Sequence, residues 1–281
     1  MKRGFTLIEL SLSIAFISIL SIIIVLLINN SIASYRRGLT LNQINTVGMD
    51  LVDDIRTVVQ SSPSGAVIGL CSRFEDETEK ERCEQDGGKN FISIVIEDYS
   101  EEEPVPLFGA FCTGNYSYIW NSGYLFNGKY SDKSPVDLTY TEKGKSESKH
   151  FPEGEEKPKL IKVRDVKRNV CKNAVSETDY TVTVGSSFNI GEVDSGFEPE
   201  SLLSSGGYNL AVYDFSAMTP AVNTAGNVSF YSISFILGTV QGGINVTATG
   251  DFCKTPNSTD ESFDNCIINK FNFAAQAIGK G

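Results

Sequence analysis

The feature that most constrains this chain is an unbroken apolar segment at residues 5–29. About 20 apolar residues suffice to cross a bilayer as a helix, because a helix satisfies its own backbone hydrogen bonds. Residues 1–4 precede the segment and carry Lys2 and Arg3. Because positive flanks stay on the cytoplasmic side, the sequence predicts a single-pass helix in the cytoplasmic membrane with its N-terminus inside.

Glu9 is the one ionisable side chain within this apolar segment. A carboxylate at the centre of a membrane helix costs about 2.5–3.5 kcal/mol. Glu9 lies only about 6 Å into the segment, because each helical residue adds about 1.5 Å, and the penalty is correspondingly smaller. An acid inside a membrane helix indicates a function and a partner of opposite charge.

Two simpler explanations account for only part of this N-terminal sequence. A cleaved secretory signal has a shorter apolar core and a following A-x-A-like cleavage site, and this sequence fits neither condition. A plain signal anchor explains Lys2 and Arg3 through membrane orientation. It gives no reason for Gly4, Phe5 and Glu9 to follow one another in that order.

Residues 3–10, RGFTLIEL, resemble the class III leader of type IV pilins and pseudopilins without a gap. The resemblance implies that a membrane prepilin peptidase cleaves between Gly4 and Phe5 and then N-methylates the amino group of Phe5. It also implies that Glu9 is the carboxylate used in filament assembly. Thr6 lies on the same helical face as Glu9 and joins it as a candidate assembly residue.

The charges present after cleavage explain why Glu9 would act in filament assembly. Cleavage leaves an ammonium group on Phe5 and a carboxylate on Glu9, both in apolar surroundings. In a staggered bundle, the amine of one subunit can meet Glu9 of the next. A buried charge is expensive alone and tolerable when paired, so the pair acts chiefly as a register device.

The helix is predicted to continue beyond the membrane through residues 30–62. Apolar residues recur there mostly at three- and four-residue steps, which indicates an amphipathic helix. These residues are Ile32, Tyr35, Leu39, Leu41, Ile44, Val47, Leu51, Ile55 and Val58. Gly38 and Gly48 each weaken the helix by about 1 kcal/mol. The run Ser-Ser-Pro-Ser-Gly at residues 61–65 ends it, at a total length of about 85 Å.

Residues 63–281 are predicted to form an extracytoplasmic, β-rich globular domain. Alternation of apolar and polar residues indicates strands, and the lack of a continuous βαβ pattern favours antiparallel sheets. The predicted strands are 91–97, 116–127, 178–184, 208–214, 228–239, 244–249 and 267–275. Residues 121–123 and 241–243 are predicted hairpin turns.

The predicted fold class is therefore α+β. The resemblance implies a pilin-like lollipop, in which one long N-terminal helix packs on the antiparallel, disulfide-containing domain. The first half of that helix is transmembrane and the second half is amphipathic. Two hydrophilic stretches, 73–90 and 141–159, are predicted surface loops. The basic stretch at 159–168 is predicted to be the solvated face of a strand.

Six cysteines fit an exported domain. An even count predicts three disulfides, for which fifteen pairings are formally possible. Pairing between sequence neighbours is expected, joining Cys71 to Cys83, Cys112 to Cys171, and Cys253 to Cys266. The last pair resembles the C-terminal disulfide loop of many pilins, and a loop of that size gains about 3 kcal/mol from closure.

Little in the sequence indicates catalysis or a cofactor, and neither is expected. A zinc site is disfavoured because there is no C-x-x-C pair and the single histidine, His150, lies in a charged loop. Asp260, Glu261 and Asp264 are weak calcium candidates in the last cysteine loop. The chain has 24 basic and 35 acidic residues, a formal net charge of −11, which makes nucleic acid an unfavourable partner.

The expected function is that of a structural subunit of a type IV pilus-like filament, exposed at the cell surface after assembly. Most major subunits of that family are shorter, and many carry a helix-breaking proline about twenty residues past the cut. This 281-residue chain has no proline there, and both departures favour a minor pilin or an atypical lineage. The resemblance implies four kinds of partner: prepilin peptidase, a platform protein, an assembly ATPase and other pilin subunits. The alternatives are a type II secretion pseudopilin and a membrane-anchored adhesin or receptor that never polymerises. Adhesion, twitching motility, DNA uptake and protein secretion all stay open as roles.

Overall fold

The computed structural model describes residues 7–62, 107–113, 115–126, 134–151, 157–165, 170, 187–193, 198–203, 209–218, 229–240 and 266–278. By its internal contacts the chain divides into two compact units, Met1–Gln43 and Ile44–Gly281. Several sequence predictions fall outside the described residues: the strands at 91–97, 178–184 and 244–249, the turn at 241–243 and the loop at 73–90.

Helix α1 runs without interruption from Leu7 to Ser61, which confirms the long N-terminal helix. The predicted stop is confirmed as well. The Ser62 N–H donates to the Val59 carbonyl at 3.1 Å, and the Ser62 hydroxyl donates to the Val58 carbonyl at 2.7 Å. These bonds satisfy carbonyls that the helix itself leaves without a partner. Pro63 follows and has no N–H with which to continue the helix.

Ten strands and a short helix, α2 (Gly123–Phe126), follow in the described part of the chain. The strands are β1 (Phe108–Cys112), β2 (Tyr116–Asn121), β3 (Asp137–Glu142), β4 (Ser148–Phe151), β5 (Leu160–Arg164), β6 (Ser187–Val193), β7 (Glu200–Ser201), β8 (Leu210–Met218), β9 (Ser229–Thr239) and β10 (Ile268–Ala277). They form three sheets, in the orders β1-β2-β5-β7, β10-β9-β8 and β4-β3-β6.

Antiparallel pairing dominates these sheets, as expected. The exception is the pair of β3 with β6, which is parallel and carries a register shift between Thr139 and Thr141. The first two sheets meet at a bridge between Ser122 and Val212. The predicted β-rich domain is confirmed, with the parallel pair as a correction to the all-antiparallel expectation.

Two hydrophobic clusters hold the second unit together. In one cluster, residues 44–61 of α1 pack against the first two sheets, with Trp120 and Phe235 among the buried contacts. The other cluster lies on the opposite side of the first sheet and is closed by the third sheet, where Phe108 meets Phe188 at a ring-centroid distance of 5.4 Å. Residues 44–59 of α1 and the third sheet therefore pack on opposite sides of the first sheet, and the second sheet contributes only Tyr213 and Ile236 to the buried residues of the cluster that the third sheet closes.

The hairpin turn predicted at residues 121–123 is wrong, and the strand predicted to reach residue 127 ends at Asn121. Gly123 instead begins α2, which packs against β8. A Cβ atom on Gly123 would lie 2.3 Å from the Tyr213 ring, so only glycine allows this approach. Residues 121–123 are of types that favour turns, but the packing of the buried Tyr213 ring against Gly123 determines the local structure.

The surface loop predicted at residues 141–159 is also wrong in part, because it contains β4 and the end of β3. Lys145 and Lys149 both pair with Glu142 across this hairpin. Phe151 packs against the hydrophobic cluster while its charged neighbours stay in solvent. A strand at the edge of a sheet can therefore be almost entirely polar.

The buried side chain of Asn121 joins the first sheet to two connecting segments. Its amide donates to the carbonyls of Val136 at 3.0 Å and Pro158 at 2.8 Å. Its carbonyl oxygen accepts the Val136 N–H at 2.9 Å. Because each buried polar group left unsatisfied costs about 1–3 kcal/mol, this side chain holds the entrances to β3 and β5 in place.

Candidate functional site

The most exposed apolar surface of the described chain is the first half of α1. Large apolar side chains there are between about half and nine-tenths exposed, from Leu7 at 87% to Ile28 at 51%. By length and composition this is the one described helix that could cross a membrane. Full burial of each such side chain is worth about 1.5–3 kcal/mol, so lipid or other apolar helices around this surface would stabilise it.

Glu9 lies in the first turn of α1, and its side chain is exposed. The hydroxyl of Ser13 donates to the Glu9 carbonyl at 2.8 Å, one turn along the same face. Gly4, Phe5 and Thr6, the other predicted processing and assembly residues, lie outside the described residues. Structure and sequence therefore both place the acid within one turn of the start of the apolar surface.

The serines of this segment are satisfied within their own helix. Each hydroxyl donates to a carbonyl three or four residues earlier at 2.8–3.0 Å. These serines are Ser11, Ser13, Ser18, Ser21 and Ser31. Such bonds remove the penalty for placing a hydroxyl in hydrocarbon, so the serines are compatible with a membrane span.

A polar cluster attaches the second half of α1 to the first sheet. The Tyr118 hydroxyl on β2 donates to Asp54 at 2.9 Å, and the Lys162 ammonium on β5 donates to the other oxygen of that carboxylate at 2.5 Å. Lys162 also lies 4.8 Å from the ring centroid of Tyr116. The cluster supplies charge balance and orientation in an interface that is otherwise apolar.

This cluster corrects one sequence prediction. The strand expected within residues 159–168 is confirmed as β5, but Lys162 does not lie on a solvated face. Its side chain is only 14% exposed and points towards α1. Lys159 is buried as well, with its ammonium 5.9 Å from the ring centroid of Phe126. Lys159 and Lys162 are therefore largely buried within the fold, whereas Lys167 and Arg168 lie outside the described residues.

The Tyr118 hydroxyl predicts how stability depends on alkaline pH. Burial, and then the adjacent Asp54 carboxylate, raise the pKa of Tyr118 above its ordinary value of 10.0. The folded state therefore keeps a proton that the unfolded chain releases. The free energy of unfolding should be fully retained below pH ~10 and fall above it, by up to about 1.4 kcal/mol per pH unit from this residue.

The variant Tyr118→Phe tests this assignment. It should lower stability by about 1 kcal/mol at neutral pH, through loss of the hydrogen bond to Asp54. Above pH ~10 its stability should decline less steeply than that of the unaltered chain. Urea unfolding followed by fluorescence of Trp120, the single tryptophan, measures both effects. Equal alkaline slopes in the two proteins would contradict the assignment.

Strand β10 runs beside α1 and is attached to it at both ends. The Asn269 side chain donates to the Asn45 side chain at 2.7 Å. At the far end, the Ile278 N–H donates to the Gln60 carbonyl at 3.3 Å. Between them Arg56 lies over the Phe273 ring, 5.7 Å from its centroid. Residues 45–60 of α1 are therefore fixed on the sheet along their length.

The remaining predicted sites are only partly described. Cys112 and Cys266 are buried and neither is a free thiol; Cys71, Cys83, Cys171 and Cys253 lie outside the described residues, so neighbour pairing stays a prediction. The calcium candidates Asp260, Glu261 and Asp264 lie outside them too. Within the described ranges, no group of three or more His, Cys, Asp or Glu side chains could hold a metal ion. His150 is exposed on β4 opposite Thr139.

Comparisons with protein-family models, with curated proteins and with solved structures give no match to this chain. A functional assignment therefore rests on three observations. These are the N-terminal sequence, the exposed apolar surface of α1, and the attachment of residues 44–61 to the sheets.

Proposed function

We propose that this chain is a structural subunit, specifically a minor pilin, of a type IV pilus-like filament. The observation that carries the proposal is a continuous 55-residue helix whose exposed apolar half starts beside a single acid. That helix follows the RGFTLIEL motif, which resembles a prepilin leader. One and the same apolar surface would contact lipid before assembly and other helices within the filament.

The proposed assembly step is electrostatic. Prepilin peptidase would cut between Gly4 and Phe5 and methylate the new amine, which keeps its positive charge. On joining a filament, the amine of one subunit meets Glu9 of a neighbour, and both charges leave water together. This pairing fixes how far each helix is shifted along its neighbour, because any other shift leaves a charge unpaired in an apolar medium.

The attachment of the globular unit to the helix is consistent with the same proposal. Hydrogen bonds, an ion pair and a large apolar interface fix residues 44–61 on the sheets, so pulling on the helix moves the whole domain. Disulfides, including one between Cys253 and Cys266, would further stabilise it outside the cytoplasm. A platform protein and an assembly ATPase are the expected machinery.

Processing at the N-terminus is the first test of this proposal. Chain purified from cells that contain a prepilin peptidase should begin at Phe5 with a methylated amine. N-terminal sequencing and intact-mass measurement detect both changes. Gly4→Glu should block the cut, because the peptidase requires a small residue there, and Lys2→Gln, a matched change within the leader, should not. Surface-exposed material that retains Met1 would contradict the proposal.

A further inference from the structure

The second sheet presents an uncharged polar surface on the side away from α1. Along β9, the buried residues Tyr231, Ile233 and Phe235 face the helix, and the residues between them face outwards. The outward surface, called here the amide–aromatic face, comprises Ser216, Phe230, Ser232, Ser234, Asn272, Ala274 and Gln276.

The strand register arranges these side chains in rows. Phe230 is directly opposite Gln276, and Ser232 is opposite Ala274. Asn272 is opposite Ser234. The Ser234 hydroxyl is hydrogen-bonded to that of Ser216 on β8 at 2.8 Å. The row that contains Phe230 and the row that contains Ser234 are four residues apart along β9, or about 14 Å. This distance is the length of a short oligosaccharide rather than of a single sugar.

An exposed aromatic ring marks one end of this face. In the described part of the second unit, the exposed large apolar side chains are Met49, Phe230 and Ile278, and Phe230 is the aromatic one, at 51% exposure. Single exposed apolar residues are ordinary on protein surfaces. Phe230 differs because an amide, Gln276, is its cross-strand neighbour, and a second amide, Asn272, lies exposed on the same face.

The charge of the face selects a class of ligand. The whole chain carries a formal charge of −11, yet none of the side chains of this face is ionisable. Lys270 and Asp214 flank it at one end and balance each other in sign, with Ile236 between them in the register. A neutral polar ligand therefore meets no charged side chain on the face itself, whereas an anionic one meets an acidic protein.

We propose that the amide–aromatic face binds a neutral oligosaccharide. Phe230 offers a flat apolar ring to the C–H face of one sugar, and the amides of Asn272 and Gln276 offer paired donors and acceptors to vicinal hydroxyls. Ser216 and Ser234 extend the hydrogen-bonding surface under the next ring. The underlying sheet is fixed by α1 on its other side, so the surface is preorganised. This binding does not depend on filament assembly.

Saturation-transfer NMR on the full chain in phosphatidylcholine nanodiscs, prepared free of glycoside detergents, tests the proposal. The probes are cellohexaose, maltohexaose, mannohexaose and chitohexaose at millimolar concentration, with an oligogalacturonate as the anionic comparison. At least one neutral probe should receive saturation and the anionic one should not. Phe230→Ala should weaken that binding about tenfold, and Asn272→Ala should weaken it severalfold.

Matched variants separate stacking from mere hydrophobicity. Phe230→Tyr should retain binding, whereas Phe230→Leu should weaken it about as much as Phe230→Ala does. Tyr35→Ala removes an exposed aromatic ring from α1, 68% exposed, and should leave binding unchanged. An unaltered Trp120 emission spectrum verifies the fold of each variant. Saturation of none of the neutral probes, binding by Phe230→Leu equal to that of the unaltered chain, or self-association through this face would each overturn the proposal.

Discussion

Glu9→Ala is expected to leave the chain in the membrane and to remove it from filaments. Membrane insertion should persist, because the substitution makes the apolar segment more apolar. If the proposed assembly step is right, assembly should fail, because the processed amine on Phe5 of a neighbouring subunit then enters the bundle without its carboxylate. Leaving one member of a buried ion pair alone costs about 3–5 kcal/mol. We therefore expect at least about a hundredfold less of this variant in filaments.

The measurement compares two fractions from the same cells. Filaments sheared from the surface and the remaining membrane fraction are probed with an antibody against the globular unit. The unaltered chain should appear in both fractions and Glu9→Ala in the membrane alone. A membrane-anchored adhesin or receptor that does not polymerise predicts no difference between the two proteins, so the same experiment separates that alternative from a filament subunit.

Asp50→Ala is the matched control. Asp50 is an exposed carboxylate on the same helix, within the second unit. Its removal changes the charge of the chain by the same amount without touching the apolar segment. We expect normal filament levels for this variant, and intermediate levels for Glu9→Asp, which keeps the charge on a shorter side chain. Recovery of Glu9→Ala in sheared filaments at the unaltered level would contradict the register role that we propose for Glu9.

Local sequence patterns were sufficient to predict α1. An apolar run, a three- and four-residue repeat and a Ser-Ser-Pro stop are all local signals, and the helix ends at Ser61 as they predict. Strands β9 and β10 were likewise predicted to within three residues, because alternation is strict where one face packs on the helix. The membrane-spanning potential of the first half was predictable from composition alone.

Long-range packing set the features that these patterns could not predict. The parallel pair of β3 with β6 joins residues about fifty positions apart, and nothing local specifies that register. Lys162 alternates like a solvated residue but is held by Asp54, more than a hundred residues earlier. Phe230 was included in a predicted strand without any distinction, because only the register places it opposite Gln276.

Gly48→Ala is expected to destabilise the second unit by at least about 2 kcal/mol, although alanine favours helices. A Cβ atom at this position would lie 2.1 Å from Cζ of Phe271 and 2.5 Å from both Cε atoms. The ring has little room to retreat. It is almost fully buried and stacks on Phe235, with centroids 5.1 Å apart. The sequence predicts only that Gly48 weakens the helix. In the structure, the missing side chain at Gly48 makes room for the Phe271 ring.

Gly38→Ala separates this packing effect from helix propensity. Among the described residues, no neighbouring atom lies within 4 Å of the position that a Cβ atom on Gly38 would occupy. Alanine there should therefore only favour the helix, by up to about 1 kcal/mol. Urea unfolding followed by Trp120 fluorescence should place the two variants on opposite sides of the unaltered chain.

The double variant Gly48→Ala/Phe271→Leu tests the same contact from the side of the ring. It should be less destabilised than the sum of its single changes, because a shorter side chain makes room for the methyl group. If Gly48→Ala and Gly38→Ala gain stability alike, the ring does not require the glycine. Close packing of α1 on β10 is then not what holds the helix to the sheet.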